Sequence, residues 1–156
     1  VTNHEHFFAL AAEAAKHATC RRDLCGSVIV KGDKVIGEGW NSPAGDREDQ
    51  RMCAVENYDW MKKKKLDKTC CVHAEWRAIM DALRSNPDGI VGSTLYFTRV
   101  DAEGNMLKSG EPYCTVCSRL ALDVGIAHFA LWHDSGILLY PADEYNRLSY
   151  VYHRKV

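Results

Sequence analysis

Two short clusters, His73-Ala74-Glu75 and Cys114-Thr-Val-Cys117, lie about forty residues apart and constrain the fold more than anything else in the chain. Thiols three apart at a helix start share one face, so Cys114 and Cys117 can both reach a single ion. Taken alone, the pair reads equally well as a redox dithiol or as two buried apolar cysteines. His73 and Glu75 are two apart, about 200° around a helix, so they cannot share a face in a helix interior. At a first turn both can reach across the open end. If the two clusters cooperate, two helix starts must meet at one point.

The pattern of the chain supplies those helices. Thr2 to Ala18 opens with a Thr2/Glu5 capping-box spacing and sets Phe7, Leu10, Ala11, Ala14 and Ala18 at helical intervals. Runs 26–31 and 34–40 read as two antiparallel strands joined by a tight turn at Gly32-Asp33. Residues 41–69 carry Pro43, Gly45 and many charges and read as a long loop with a short helix around 55–63. From His73 to Ser85 the stripe Trp76, Ile79, Met80, Leu83 predicts a second helix, stopped by Asn86-Pro87. A strand over 94–99, a polar loop over 101–113, a helix over 114–124, a strand over 127–132 and a terminal helix over 142–150 complete the order. Helices on both faces of a sheet are expected: a three-layer α/β/α sandwich with a mixed central sheet of about five strands.

With 156 residues, 46% apolar and 26% charged, the chain suits one domain over 1–156, with a core at 5–133 and a strand/helix extension at 134–156. No apolar run approaches the roughly 20 residues of a membrane span, and no basic-then-apolar leader opens the chain, so it reads as soluble, unexported and cytoplasmic. A net charge of −1 falls short of the basic signature of a domain that grips a phosphate backbone. The run Lys62 to Lys65 reads as a solvated loop or helix end. Seven cysteines without a secretory signal fit metal ligation better than disulfides.

The strand-loop-His-Ala-Glu-helix-strand-Cys-Thr-Val-Cys-helix order resembles the cytidine and deoxycytidylate deaminase superfamily over roughly residues 5 to 133. The resemblance implies a catalytic zinc on His73, Cys114 and Cys117, with Glu75 as proton shuttle and Asn41 and Ala74 as substrate contacts. Three protein ligands leave one position for water, as a catalytic zinc requires. Glu75 would take the water proton, deliver it to the ring nitrogen and help ammonia leave. One departure stands out: Tyr113 separates Pro112 from Cys114, and the loop from Val100 to Gly110 is longer than the family pattern.

Within the superfamily, Trp40-Asn41-Ser42-Pro43-Ala44-Gly45 is similar to the Gly-Tyr-Asn-Gly-x-Pro-x-Gly segment of deoxycytidylate deaminases, whose Asn meets the substrate sugar. The run Val35 to Asn41 is equally similar to bacterial tRNA adenosine deaminases. Cys20, Cys53 and Cys71 fall where some phage and bacterial deoxycytidylate deaminases bind a second, structural zinc, with Cys70 or His17 as the fourth ligand; Cys25 reads as core. The resemblance thus implies a free deoxynucleotide substrate, dCMP converted to dUMP, in a homo-oligomer, as the near-neutral charge also favours; Arg99, Arg77 and the basic residues of the loop are candidates to meet its phosphate, and spacing singles out none of them. The alternatives are deamination of cytosine or adenine within RNA or DNA, deamination of a free base or nucleoside, and a catalytically silent zinc module. The four tyrosines of segment 140–152 read as packing.

Overall fold

The computed structural model describes residues 1–53 and 70–154. The short helix expected around 55–63 and the Lys62 to Lys65 run lie outside them. Helix α1 (His4–Ala15) is capped by Asn3, whose side chain accepts from the His6 amide, and not by the Thr2/Glu5 box; Asn3 sits one residue nearer the first turn and offers the better acceptor. Strands β1 (Leu24–Lys31) and β2 (Lys34–Trp40) form the expected hairpin. Its turn residues Gly32 and Asp33 both have positive φ, 54° and 63°, the geometry that matches the twist of paired strands.

The described start of the long loop carries regular structure. Strand β3 (Ser42–Pro43) pairs with β4 (Cys71–Val72), bringing the two ends of the segment together. Helix α2 (Ala74–Ser85) follows at once, then β5 (Thr94–Val100), the two-residue strand β6 (Met106–Leu107), α3 (Thr115–Asp123), β7 (His128–His133), β8 (Gly136–Pro141) and α4 (Ala142–Arg154). The sheet order is β2-β1-β5-β7-β8, with β5 and β7 parallel and the other pairs antiparallel. Strand β7 pairs with β5 only as far as Tyr96, and β6 takes up Arg99 and Val100. The extra length of the loop after β5 is spent on this return, and β8 and α4 supply the strand and helix expected of the extension.

Alternation along the strands divides the core between two faces. Val28, Val30 and Tyr96 pack with Phe7, Phe8 and Ala11 of α1. Ile29, Leu95, Phe129 and Leu131 pack with Ala78, Ile79, Ala82, Ala121 and Tyr145 from the three other helices. The chain is a three-layer α/β/α sandwich on a mixed sheet. Burying apolar area on both faces is the main stabilising term, at roughly 25 cal/mol per Å².

Helix α2 does not sit on the face that its large residues suggest. Met80 and Leu83 are each 42% exposed, whereas Ala74, Glu75, Ala78, Ile79 and Ala82 are buried. The cause lies in the sheet. A Cβ at Gly39 would stand 2.3 Å from the Ala74 carbonyl oxygen, and one at Gly37 2.4 Å from that of Ala78. Glycine on β2 and alanine on α2 let the two backbones approach so closely that larger side chains have no room between them.

Candidate metal centre

That close approach sets the position of the first cluster. His73 is the N-cap of α2 in extended conformation, and Glu75 lies in its first turn with 6% exposure. Cys114 is the N-cap of α3, and its sulfur accepts from the Cys117 amide at 3.4 Å. The two helix starts meet as the spacing demanded. His73 Nδ1 stands 3.2 Å from Cys117 Sγ and 3.4 Å from Cys114 Sγ, and the two sulfurs are 2.9 Å apart. Ligand atoms of all four residues, Glu75 included, lie within 4.8 Å of one another.

These residues fit a zinc ion. With Zn–S of about 2.3 Å and Zn–N of about 2.0 Å, tetrahedral ligation separates two sulfurs by about 3.8 Å and sulfur from nitrogen by about 3.5 Å. Small side-chain rotations span that difference. The His73 ring is stacked on Trp76, centroids 4.4 Å apart and planes 9° apart, which holds the plane of the ring against the thiols.

The electrostatics follow from burial and proximity. The Cys117 thiol beside it, then His73, hold the Cys114 thiol down at about 4. Cys117 is pushed well up, by burial first and by Cys114 second. One thiolate and one thiol share a proton here, and a cation would release it. Burial, and then the Cys114 charge, raise the Glu75 carboxyl above the usual range. A carboxyl held up in this way takes and returns a proton more readily than an ordinary surface carboxylate.

In front of the α2 start the sheet presents a row of three residues. Asn41 Oδ1 accepts from the Cys25 amide at 2.8 Å, Asn41 Nδ2 donates to the Asp23 carbonyl at 2.8 Å, and Cys25 pairs with Arg99 across β1 and β5. Asn41 thus spends its side-chain oxygen and one N–H on the backbone and keeps one N–H. Ala74 is fully buried, with its carbonyl turned against Gly39. Cys25, expected in the core, is half-buried, and its thiol is raised by burial first and by the Glu75 charge second. It faces the cluster because it alternates with Ser27 and Ile29 onto the α2 face.

Spacing alone did not place Tyr113 at the site. Its side chain is 54% exposed, yet its hydroxyl is raised by burial and then by Glu75, Cys114 and Cys25, which puts the polar end at the mouth of the cluster. Its insertion between Pro112 and Cys114 was the available signal. Its carbonyl accepts from His153 Nε2 of α4 at 2.6 Å. Arg77, by contrast, turns away: it donates to the carbonyls of Trp40, Ser42 and Pro43 and to Ser42 Oγ.

The other cysteines form a second group. Cys71 is buried, and its thiol is pushed to about 12 by burial first and then by Cys20 and Cys70, both within side-chain hydrogen-bond reach. Burial raises the Cys70 thiol as well, but bonds from the Met52 and Cys53 amides and from the Cys53 side chain outweigh it and the net shift is downward. The contacts run Cys20, Cys71, Cys70, Cys53. Cys70 joins the set, while His17 packs against Trp40 with ring centroids 5.1 Å apart.

Residues 1–132 match the model of the cytidine and deoxycytidylate deaminase zinc-binding region. A deoxycytidylate deaminase of Mycobacterium phage D29 is 31% identical over 131 residues, covering 78% of this chain and 88% of the phage protein. One from Schizosaccharomyces pombe is 35% identical over 81 residues, 51% of this chain and 25% of its own length. The dCMP deaminase of cyanophage S-TIM5, solved in complex with dCMP and dUMP, shares the fold with a TM-score of 0.59 at 20% identity over 83% of this chain and 81% of that one. A cytidine deaminase from Burkholderia pseudomallei does so with a TM-score of 0.60 at 16% identity over 93% and 96%.

Proposed function

The chain belongs to the cytidine and deoxycytidylate deaminase family, and from that premise we propose that it converts dCMP and water to dUMP and ammonia. The observation that carries this reading is the single cluster of His73, Glu75, Cys114 and Cys117 at two facing helix starts. His73, Cys114 and Cys117 would hold zinc, which when bound brings the pKa of a coordinated water near 7 and so makes a nucleophile at neutral pH.

The rest of the work falls to the chain. Glu75, the acid at the cluster, takes a proton from the attacking water and delivers it to the ring nitrogen, and then protonates the departing amine. Its burial keeps bulk water from exchanging that proton in mid-reaction. Trp76 holds the His73 ring, and the start of α3 favours negative charge on Cys114. The Ala74 backbone and the remaining Asn41 N–H are offered to the substrate. Cys20, Cys53, Cys70 and Cys71 would hold a second, structural zinc that ties the segment before β1 to both ends of the long loop.

A free nucleotide is favoured over nucleic acid by the near-neutral charge and by the deoxycytidylate deaminases among the relatives. No helix among the described residues is long and apolar enough to cross a membrane. Seven cysteines, none of them in a disulfide, support action in the cytoplasm. Val116 and Leu122, exposed on the outer side of α3 beside Arg119 and Asp123, support assembly as a homo-oligomer of one-domain chains.

The test is ammonia release from dCMP by zinc-loaded protein and by its Glu75→Gln variant. The variant is expected to keep its zinc and lose about a hundredfold to ten-thousandfold in turnover. Zinc-loaded wild type that leaves dCMP unchanged refutes the proposal.

A further inference from the structure

The row in front of α2 ends on a cation that the chemistry described so far leaves unused. Arg99 occupies the same face of β5 as Leu95 and Phe97, which pack towards α2. Its register partner Cys25 occupies the same face of β1 as Ile29. Helix α2 begins level with Gly39, which pairs with Ser27. The next residues on that face, one step beyond the helix start, are Asn41, Cys25 and Arg99. Asn41, Cys25 and Arg99 therefore form the strip of sheet next to the open end of α2, where His73 and Glu75 stand.

Two further observations mark Arg99 as available. Its contacts are long: Nη1 to Asp23 at 3.5 Å and Nη2 to the Lys108 carbonyl at 3.4 Å. An exposed pair at that distance contributes little and exchanges partners easily. The side chain keeps 34% of its surface in solvent. The Cys25 thiol, midway along the row, is raised by burial first and then by the Glu75 charge, and lowered by that of Arg99, so both charges are within electrostatic reach of it. Arg77, a rival cation among the described residues, has its guanidinium committed to three carbonyls and a hydroxyl.

We propose that Arg99 binds the 5′-phosphate of the substrate, exchanging Asp23 and the Lys108 carbonyl for phosphate oxygens, and that it makes the site select a nucleotide over a nucleoside. This rests on the reading of the chain as a dCMP deaminase and adds the residue that recognises the anionic end. The guanidinium fork suits the task, because it offers two parallel donors to one phosphate where an ammonium offers a single point of charge.

The experiment uses zinc-loaded wild type, Arg99→Gln and Arg99→Lys, with dCMP turnover and calorimetric titration of dUMP and of deoxyuridine. Loss of a charge-assisted hydrogen bond predicts a fall of about tenfold to a hundredfold in dUMP affinity for Arg99→Gln. The KM for dCMP should rise in parallel, well beyond any change in kcat, and deoxyuridine affinity should stay at the wild-type value. Arg99→Lys should recover part of the loss. Active wild type with dUMP affinity in Arg99→Gln within twofold of its own overturns the assignment and leaves the function intact. Equal losses for dUMP and deoxyuridine overturn it too, since they indicate damage to the strand. Wild type that turns over no dCMP overturns both readings.

Discussion

Gly39→Ala would set a methyl carbon 2.3 Å from the Ala74 carbonyl oxygen and 2.4 Å from the Ala78 amide nitrogen. Both are backbone atoms of α2 and cannot rotate aside, so the helix must withdraw from the sheet by about 1 Å to reach ordinary contact. Overpacking of this kind costs about 1 to 3 kcal/mol. In a chain of this size each kcal/mol lowers the melting midpoint by about 2 to 4 °C. The displacement falls on the first turn, where His73 faces the α3 sulfurs across 3.2 to 3.4 Å and Glu75 lies within 4.8 Å of them. A shift of about 1 Å in reacting groups costs about a hundredfold in rate, so activity should fall further than stability alone accounts for. Thermal melts, zinc content and ammonia release from dCMP measure the three effects. Gly110→Ala is the control, because a Cβ there meets no atom within 4 Å. If Gly39→Ala melts and turns over like Gly110→Ala, α2 is not seated on β2 in the way that positions the cluster.

Other substitutions probe separate parts of the structure. Asn41→Ala strands the Cys25 amide and the Asp23 carbonyl and should destabilise the protein by about 1 to 3 kcal/mol in denaturant melts. Cys71→Ser should remove one zinc per chain by metal analysis while the ion at His73 stays, and a metal content equal to wild type would count against the four-cysteine site. Ile79→Ala should cost about 2 to 5 kcal/mol, and Met80→Ala less than about 0.5 kcal/mol, since Ile79 is fully buried and Met80 is 42% exposed. Equal losses would mean that the large residues of α2 pack as their spacing suggests.

The features legible in the sequence are those with local causes. Gly32-Asp33 specifies a turn, Asn86-Pro87 stops a helix, and two cysteines three apart at a helix start specify a shared face. The face of α2 was legible only in part: Ile79 of the expected stripe is buried, but Met80 and Leu83 are exposed and the helix meets the sheet by its alanines. What decides is Gly37 and Gly39 on another strand, and periodicity within one segment carries no record of its neighbour's missing side chains. The capping box failed on a smaller scale: Thr2/Glu5 matched the spacing, but Asn3 had an acceptor in better position. Cys25 was misread for a related reason. A thiol at a strand end reads as core until the register shows that the helix above it begins one residue pair earlier.

The same geometry separates chemistry from substrate choice. His73 and Glu75 belong to the start of α2, and Cys114 and Cys117 to the start of α3, so both helices must dock correctly before the cluster exists. Asn41, Cys25 and Arg99 belong to strand ends, held by ladder bonds that are complete without either helix start. A substitution in the row can therefore change what is bound without disturbing the metal ligands, whereas one that lifts α2 removes the reaction whatever is bound. Arg99 is the clearest case: it lies at the rim beside a loop longer than the family pattern, where altering the charge alters the preferred anion and leaves Glu75 in place.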